Sequence, residues 1–269
     1  MTVLETYEKR PRPLAQRLAI FAIVAVLVIW SAAGVEYKGI AAKGSEVAYG
    51  IVHGLLHPMT SMIFTTATDG VPYLIMQTIA IAVLGTLIGG LLAIPISFVA
   101  SGNIVPKWVA RIFRALILMI RTIPSLVWAL VWIRVTGPGP FCGVLTQSVC
   151  SIGMISKMYI TAIEDLDTGI LESLDASGCN AFQKIRCGVI PQLSASFVST
   201  VIYRFDINLK DASTLGIVGA GGIGAALNQA IASRRWVIVG AFLWALILLV
   251  LIIEYFSTKI RARLARGKS

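Results

Sequence analysis

The chain has 269 residues, of which 57% are hydrophobic and 13% are charged, and its mean hydropathy is +0.84. This composition excludes an ordinary water-soluble domain and a disordered chain, and it predicts a polytopic membrane protein. The formal net charge of +10 would also suit a nucleic-acid-binding protein, so the positions of the basic residues must decide between these classes.

Apolar runs long enough to cross a hydrocarbon core of about 30 Å recur along the chain. They predict an all-α protein with about six transmembrane helices, near residues 18–35, 71–100, 115–135, 138–163, 192–217 and 236–256. The first run is too long for a simple signal peptide, and residues 31–34 form only a weak cleavage pattern. We therefore count residues 18–35 as the first span.

Basic residues are concentrated on one predicted side of the membrane. With a cytosolic N-terminus, the outer side carries only Lys38, Lys43, Arg234 and Arg235. The inner side or its boundary carries Lys9, Arg10, Arg12, Arg17, Lys107, Arg111, Arg114, Lys157, Lys184, Arg186, Lys259, Arg261, Arg263, Arg266 and Lys268. This bias predicts a multi-pass protein of the bacterial cytoplasmic membrane with cytosolic basic tails at 1–17 and 261–269. It also explains the net charge without nucleic acid.

Residues 36–70 form a predicted extracytoplasmic connection. Its apolar stretch 47–56 is too short to cross a bilayer and favours a helix lying at the membrane interface. His53 and His57 are four residues apart there, but no third ligand is near, so packing is favoured over a metal site. The cysteines also lack metal-ligand spacing, which favours reduced structural roles for Cys142, Cys150, Cys179 and Cys187.

The predicted second span begins a core of five transmembrane helices over residues 71–260. It contains Gly85 and Gly89, whose small-xxx-small spacing lets two helix backbones approach closely. Pro95 predicts a kink near the inner end of this span.

Charged residues interrupt the apolar chain over residues 164–190, which predicts that this segment lies in the cytosol. Apolar residues recur at helical spacing over 170–185. Gly178 should split that helix in two, because glycine lowers helix stability by about 1 kcal/mol and accepts positive φ. Pro191 is expected to begin the fifth span. The 164–190 segment thus has the layout of a docking segment for a separate motor protein.

The predicted fifth span contains Arg204, Asp206, Lys210 and Asp211. Each charge at the bilayer centre would cost about 2.5–3.5 kcal/mol, so these side chains must face protein or water. Helical spacing would allow Asp206 to pair with Lys210, and Asn208 with Asp211. Two interpretations stay open. The charges form a self-neutralised network inside the bundle, or they line a polar path in which Arg204 or Lys210 helps an anion to cross.

A glycine-rich stretch follows, with Gly219, Gly221 and Gly224 in the spacing GxGxxG. A dinucleotide site would require a preceding strand and an acidic residue about 20 positions later. Here a predicted membrane span precedes the stretch, and position 244 is Trp. The stretch therefore predicts closely approaching or re-entrant backbone at the outer side of the fifth span.

Residues 71–260 resemble the phosphonate-type (PhnE-like) permeases of ABC importers, which are inner-membrane components of binding-protein-dependent transport systems. The resemblance covers about 70% of the chain and rests on the spacing of Glu172, Gly178 and Pro191 and on residues 139–145, 188–192, 203–210 and 218–224. Ser173 and Leu174 replace two alanines of the family's Glu-Ala-Ala motif. Further departures leave the exact solute open: Ser125, Asp206, Lys210 and Asp211.

The resemblance implies a type I ABC importer permease fold and assigns three groups of residues. The ATPase-coupling group within and beside the 164–190 segment is Glu172, Asp175, Ala176, Gly178, Ala181, Phe182 and Pro191. The substrate path would be lined by Arg121, Thr122, Ser125, Tyr203, Arg204, Asp206, Asn208, Lys210, Asp211 and Ser213. The glycine-rich turn is Gly219, Gly221, Gly222 and Gly224.

The resemblance also implies the assembly and the solute. The permease would act by alternating access as a homodimer or equivalent pair, with two ABC ATPase subunits and an extracytoplasmic solute-binding protein. Phosphonate, phosphite or a related small oxyanion would be imported. The alternatives are a permease for an amino acid or osmoprotectant, or an ion-coupled secondary transporter.

The chain itself is not expected to be an enzyme. It contains no GxxxxGK[ST] sequence, so ATP and Mg would bind to the partner ATPase subunits, and no cofactor or catalytic residue is assigned to this chain. An intramembrane hydrolase would need a nucleophile beside a base. The two histidines both fall in the outer connection, away from the predicted spans.

Overall fold

A computed structural model describes residues 14–35, 43–166 and 168–265. Their regular structure is helical, which confirms the all-α prediction. In chain order the helices are α1 (Leu14–Ala33), α2 (Gly44–Leu56), α3 (Thr60–Phe64), α4 (Val71–Ala100), α5 (Lys107–Thr122), α6 (Ser125–Thr136), α7 (Pro140–Glu164), α8 (Thr168–Ala176), α9 (Ala181–Lys184), a π-helical turn (Ile185–Val189), α10 (Ile190–Ile217), α11 (Gly222–Ala232) and α12 (Trp236–Ala265). Most of the predicted basic tail at 1–17, and the end of that at 261–269, lie outside the described residues.

The chain divides into two compact units, residues 1–48 and 49–269. The first unit contains α1, an apolar helix whose described side chains are nearly all exposed, including Phe21 and Trp30. An apolar helix with an exposed surface is expected for a segment that meets lipid. The second unit contains the remaining long helices.

Length and composition would let three helical stretches of the described chain cross a membrane, namely Val71–Ala100, Phe182–Ala232 and Trp236–Leu264. A fourth would be formed if α5 and α6 together make one broken span. The apolar part of α1, Arg17–Ala33, is shorter than these. The predicted number of six spans therefore stays a prediction.

The predicted span at 115–135 is broken in the structure. α5 ends at Thr122, α6 begins at Ser125, and the two helices are bent by 86° at this break. Pro124 explains the bend, because its ring disfavours helical backbone at the preceding residue and its nitrogen carries no hydrogen. Ile123 is accordingly extended, with φ −86° and ψ 121°. The bend creates a corner with Arg121 on one side and Ser125 on the other.

α4 and α7 pack closely at the centre of the second unit. A Cβ atom added to Gly85 would lie 2.5 Å from Cβ of Gln147, and one added to Gly89 would collide with Cβ of Ser151. This confirms the predicted close approach of two helix backbones. α4 continues through Pro95 to Ala100.

The predicted short helix at 47–56 is confirmed as part of α2. From Tyr49 onward it belongs to the second unit, where it packs closely on α12. A Cβ atom added to Gly54 would collide with the main-chain oxygen of Trp236, and one added to Gly240 would collide with that of Gly54. The indole nitrogen of Trp244 donates a hydrogen bond of 2.8 Å to the main-chain oxygen of Leu55. Its position at the membrane interface stays a prediction.

Candidate functional site

α10 carries its charges on two faces. Arg204 and Asp211 are seven residues apart, which is close to two helical turns, so they share a face. Asp206 and Lys210 are four residues apart and form a pair on another face, with 3.6 Å between Oδ2 and Nζ. The two pairs therefore meet different neighbours.

Arg204 and Asp211 line a cavity of about 290 Å³ between α10, α7 and the corner of α5 and α6. Two other residues predicted for the substrate path, Arg121 and Ser125, line the same cavity. The remaining lining is Ile120, Ile123, Pro124, Cys150 and Met154. Two guanidinium groups and one carboxylate give this lining a formal charge of +1, so the cavity favours an anion. We call it the Arg204 cavity.

Arg204 is 6% exposed and is held by α7. Its Nε donates to Oγ of Ser151 over 3.1 Å, and one terminal nitrogen lies 3.2 Å from the sulfur of Met154. These contacts occupy two of the five N–H donors of the guanidinium group. Within the described ranges Arg204 forms no ion pair closer than 4 Å. The group is thus oriented, charged and still able to bind a carboxylate or phosphorus oxyanion.

Asn208 connects α10 to α4 and α7 inside the bundle, close to Arg204. Its side chain is fully buried, and Nδ2 donates to Oγ1 of Thr86 and to Oγ of Ser151, each over 2.8 Å. Gln147 donates to the main-chain oxygen of Asn208 over 2.7 Å. The predicted pair of Asn208 with Asp211 is wrong, because the amide points to α4 and α7. Ser151 accepts from both Asn208 and Arg204, so it links the packing of the bundle to the cavity.

Lys210 faces away from the Arg204 cavity. Besides the Asp206 contact, its Nζ lies 3.0 Å from Oε2 of Glu254 on α12. The pairing of Asp206 with Lys210 confirms the prediction, and Glu254 adds a partner that sequence reasoning missed. This ion network joins α10 to α12. The interpretation as a self-neutralised network therefore fits Asp206 and Lys210, whereas Arg204 and Asp211 face open space.

Six predicted path residues lie outside the lining of the Arg204 cavity: Asp206, Asn208 and Lys210, described above, and Thr122, Tyr203 and Ser213. The hydroxyl of Thr122 donates to the main-chain oxygen of Met119 over 2.8 Å. Tyr203 faces Arg261, whose guanidinium carbon is 5.3 Å from the ring centroid. The main chain of Ser213 packs against Gly224. Sequence reasoning missed Cys150, Ser151 and Met154, although Gln147 and Ser151 already form a polar stripe at helical spacing on α7.

The glycine-rich turn packs closely, as predicted. Gly219, Gly221 and Gly222 have positive φ of 91°, 82° and 71°. Gln77 and Thr78 of α4 accept hydrogen bonds of 2.8 and 2.9 Å from the first two backbone N–H groups of α11. A helix N-terminus binds a phosphate through such N–H groups, and here they are already bonded to side chains. Gly224 lies directly against α10 at Ser213.

The predicted split of the 164–190 segment at Gly178 is confirmed. Gly178 has φ +73° and donates to the main-chain oxygen of Asp175 over 2.9 Å, while Cys179 donates to that of Leu174 over 3.0 Å. This pair of bonds is a Schellman motif, which ends a helix with a left-handed glycine. Asn180 and Gln183 then cap α9 reciprocally, over 2.8 and 2.9 Å.

The surface of the 164–190 segment is largely exposed. Glu172, Asp175 and Ala176 are exposed on α8, and Phe182 on α9 is 70% exposed. Lys184 forms an ion pair with Asp175 across the turn, so the two short helices are tied together. Ala181 begins α9, and Asp167 lies outside the described residues. An exposed aromatic ring among exposed charged residues is a composition that suits contact with a partner protein.

The 164–190 segment continues directly into the helix that carries Arg204. α9, the π-helical turn and α10 follow each other without a break, and Pro191 is the second residue of α10. At 1.5 Å per residue, Phe182 and Arg204 are separated by about 33 Å of helix. The segment and the Arg204 cavity are therefore joined by one uninterrupted helical stretch.

Comparison with known proteins adds to this geometry. The model of the family described as "Binding-protein-dependent transport system inner membrane component" matches residues 85–268. "Phosphate-import permease protein PhnE" of Mycolicibacterium smegmatis is 35% identical over 192 residues, which is 70% of this chain and 36% of that protein. "Putative phosphite transport system permease protein HtxC" of Stutzerimonas stutzeri is 34% identical over 186 residues, 69% of this chain and 66% of that protein. The aligned part is thus less than two thirds of each relative.

A chain in the structure of the inward-facing MetNI methionine ABC transporter has the same fold. The TM-score is 0.61 at 22% sequence identity, with 71% of this chain and 94% of that chain covered. This likeness confirms the predicted type I ABC importer permease fold.

Proposed function

Because the chain belongs to the family of binding-protein-dependent transport system inner membrane components, we propose that it is the permease subunit of an ATP-driven ABC importer. The solute is a phosphonate, phosphite or related small oxyanion. The observation that carries this proposal is the Arg204 cavity, where an oriented guanidinium group keeps donors free for an anion. The names of the phosphate and phosphite permeases similar to this chain support the same solute class.

The chemistry of the Arg204 cavity favours an oxyanion over the other solutes considered. An osmoprotectant with a quaternary ammonium group is recognised by aromatic rings, and none lines this cavity within the described part of the chain. A zwitterionic amino acid would need a second, negative subsite. Asp211 is the one acidic group in the lining, and Arg121 and Arg204 outnumber it. A compact anion with a small apolar substituent matches the guanidinium groups together with Met154.

The working assembly contains two permease chains, as a homodimer or an equivalent pair. Each chain offers one 164–190 segment, and one ATPase subunit would dock on each segment. ATP and Mg bind to those subunits, so this chain supplies the path and not the hydrolysis. An extracytoplasmic solute-binding protein delivers the anion, and both termini of the permease lie in the cytosol.

The continuity of the 164–190 segment with α10 supports a mechanism of alternating access. ATP binding would draw the two segments together, and each α10 would move with its segment because no flexible loop separates them. Arg204 would then be exposed first to the outer side and later to the inner side. Its bonds to Ser151 and Met154 keep the guanidinium group oriented during this movement.

Uptake by the reconstituted complex tests this function. The permease, its ATPase subunits and its solute-binding protein would be placed in liposomes and offered labelled phosphite, methylphosphonate, phosphate, methionine and carnitine. We expect uptake of at least one phosphorus oxyanion, dependent on ATP, with little uptake of methionine or carnitine. Transport of methionine or carnitine alone would contradict the solute class. Oxyanion uptake driven by an ion gradient without ATP would contradict the importer.

A further inference from the structure

The inner half of α10 (residues 190–203, next to the 164–190 segment) carries a hydroxyl stripe that lies outside the lining of the Arg204 cavity. Ser196, Ser199, Thr200 and Tyr203 recur at spacings of three and four residues, so they share one side of the helix. All four line a cavity of about 750 Å³ between α7, α10 and α12. Polar side chains facing lipid are costly, so such a stripe indicates a polar ligand or water.

Arg261 of α12 brings a positive charge to this cavity. Its guanidinium carbon lies 5.3 Å from the centroid of the Tyr203 ring, which is a cation–π contact. Nε of Arg261 is buried and has no hydrogen-bond partner among the residues that the structure describes. A terminal nitrogen makes only a long contact of 3.5 Å with Thr258. A buried N–H left without an acceptor is unfavourable, so an acceptor bound in the cavity would stabilise this arrangement.

A second cavity of about 490 Å³ adjoins the first, since Met158, Ser196 and Thr200 line both. Lys157 and Asp165 are the charged residues of its lining. The hydroxyl stripe therefore has Arg261 in one cavity and Lys157 in the next. With Asp165 counted, the two linings together carry a formal charge of +1, which favours an anion.

Tyr203 and Arg204 are consecutive residues of α10, and they line different cavities. Tyr203 lines the 750 Å³ cavity, whereas Arg204 lines the cavity of about 290 Å³. Neighbouring residues of an α-helix point about 100° apart, so one helix presents two cation-containing cavities on different sides. The 750 Å³ cavity, which we call the Arg261 cavity, is lined by residues of α10 that are nearer to the 164–190 segment along the chain than Arg204 is.

We infer that the Arg261 cavity and its neighbour form a second binding site, which takes a tetrahedral phosphorus oxyanion. Guanidinium and hydroxyl groups together are the donors that such an oxyanion needs. The oxyanion has two possible sources, which are the solute leaving the Arg204 cavity and the phosphate headgroup of an anionic lipid. The first source rests on the proposed function, whereas the second does not.

Chemical modification of arginine tests this site in the native sequence. The complete complex, in nanodiscs of phosphatidylcholine, is treated with phenylglyoxal, and modification of Arg261 and Arg263 is followed separately by mass spectrometry. Arg263 is a matched internal control, because it is exposed two residues further along the same helix. The two probes are inorganic phosphate added to these nanodiscs, and nanodiscs that contain phosphatidylglycerol without added phosphate.

We expect one of the probes to slow modification of Arg261 about ten-fold when the anion is at ten times its Kd, and to leave Arg263 nearly unchanged. Protection by phosphate identifies a free anion, and protection by phosphatidylglycerol alone identifies a headgroup. Ser199→Ala should weaken the protection several-fold. Ser194→Ala, on the same helix but outside both linings, should not change it.

Three results would overturn this inference: no protection of Arg261 by either probe, equal protection of Arg263, or protection that Ser199→Ala leaves unchanged. Uptake of solute is measured on the same preparation. ATP-dependent uptake without protection would remove the second site and keep the proposed function. Protection without uptake would keep the site and argue against the function.

Discussion

The two charged faces of α10 have similar residues and different surroundings. Arg204 and Asp211 line a cavity, and Arg204 is held by neutral partners, the hydroxyl of Ser151 and the sulfur of Met154. Lys210 has carboxylates on two sides, from Asp206 and Glu254. The formal charge on each pair is zero, but only one face is satisfied by ion pairs within the described chain. The groups that each charged side chain contacts on neighbouring helices therefore distinguish the two faces. Ion pairs occupy the Lys210 face, whereas the Arg204 face keeps a charged group with free donors.

The largest effect is expected at Gly178 in the 164–190 segment, because we propose that the Arg204 face moves with that segment. Gly178→Trp should abolish ATP-dependent uptake. The φ of +73° at Gly178 is unfavourable for Trp, and an indole ring would fill the open space beside it on the proposed docking surface. Uptake by the reconstituted complex and co-purification of the ATPase measure the loss.

Gly178→Asn is the matched control for this change. Asn tolerates the left-handed region better than other residues and adds little volume, so most activity should remain. Normal ATP-dependent uptake by the Gly178→Trp variant would contradict the docking role of the segment.

The next largest effect on uptake is expected at Arg204, and a comparison with Lys210 distinguishes the two charged faces of α10. Arg204→Gln should lower uptake by about ten-fold or more, because a hydrogen bond to a charged group contributes about 1.5–3 kcal/mol. Lys210→Gln removes the same charge from the same helix and should change uptake per folded complex far less. Initial rates are normalised to the amount of intact complex. If both variants lose uptake equally, or Arg204→Gln loses none, the distinction between the faces is wrong.

Within the Lys210 face, the two ends of the ion network should differ in their effect on the stability of the permease. Lys210→Gln leaves the buried carboxylate of Asp206 without its ion pair, which should cost about 1–3 kcal/mol. Glu254 is half exposed, so Glu254→Gln should cost less, about 0–1 kcal/mol. Thermal unfolding of the purified permease measures both changes. A larger loss of stability in Glu254→Gln than in Lys210→Gln would show that Asp206 does not depend on Lys210.

Sequence patterns predicted features whose cause is local. The break at Gly178, the close approach at Gly85 and Gly89, and the pair of Asp206 with Lys210 all follow from spacing and from properties of single residues. Pro124 is also a local signal for the bend between α5 and α6, but the apolar run on both sides of it favours one unbroken span. An apolar count does not detect a broken helix, whereas proline does.

Features that depend on contacts between distant helices could not be predicted from the sequence. Glu254 reaches Lys210 from a helix 44 residues away along the chain, and Asn208 bonds to Thr86 across 122 residues. Spacing along one helix suggested that Asn208 would pair with Asp211, but the amide has better partners on α4 and α7. Sequence therefore identified which helix carries the charges and could not assign each charge to a face.

The smallest effect concerns Asp211, the acidic member of the Arg204 cavity. Its carboxylate faces the same space that an oxyanion would occupy, so it competes with the solute for the guanidinium groups. Asp211→Asn keeps the shape and removes the charge, and it should lower the solute concentration for half-maximal uptake by about two- to five-fold, as expected for about 0.5–1 kcal/mol. Asp206→Asn is the control, because Asp206 lies on the face that binds Lys210. An increase in the half-maximal concentration for Asp211→Asn would show that this carboxylate helps to hold the solute, and the cavity would then favour a zwitterion over an oxyanion.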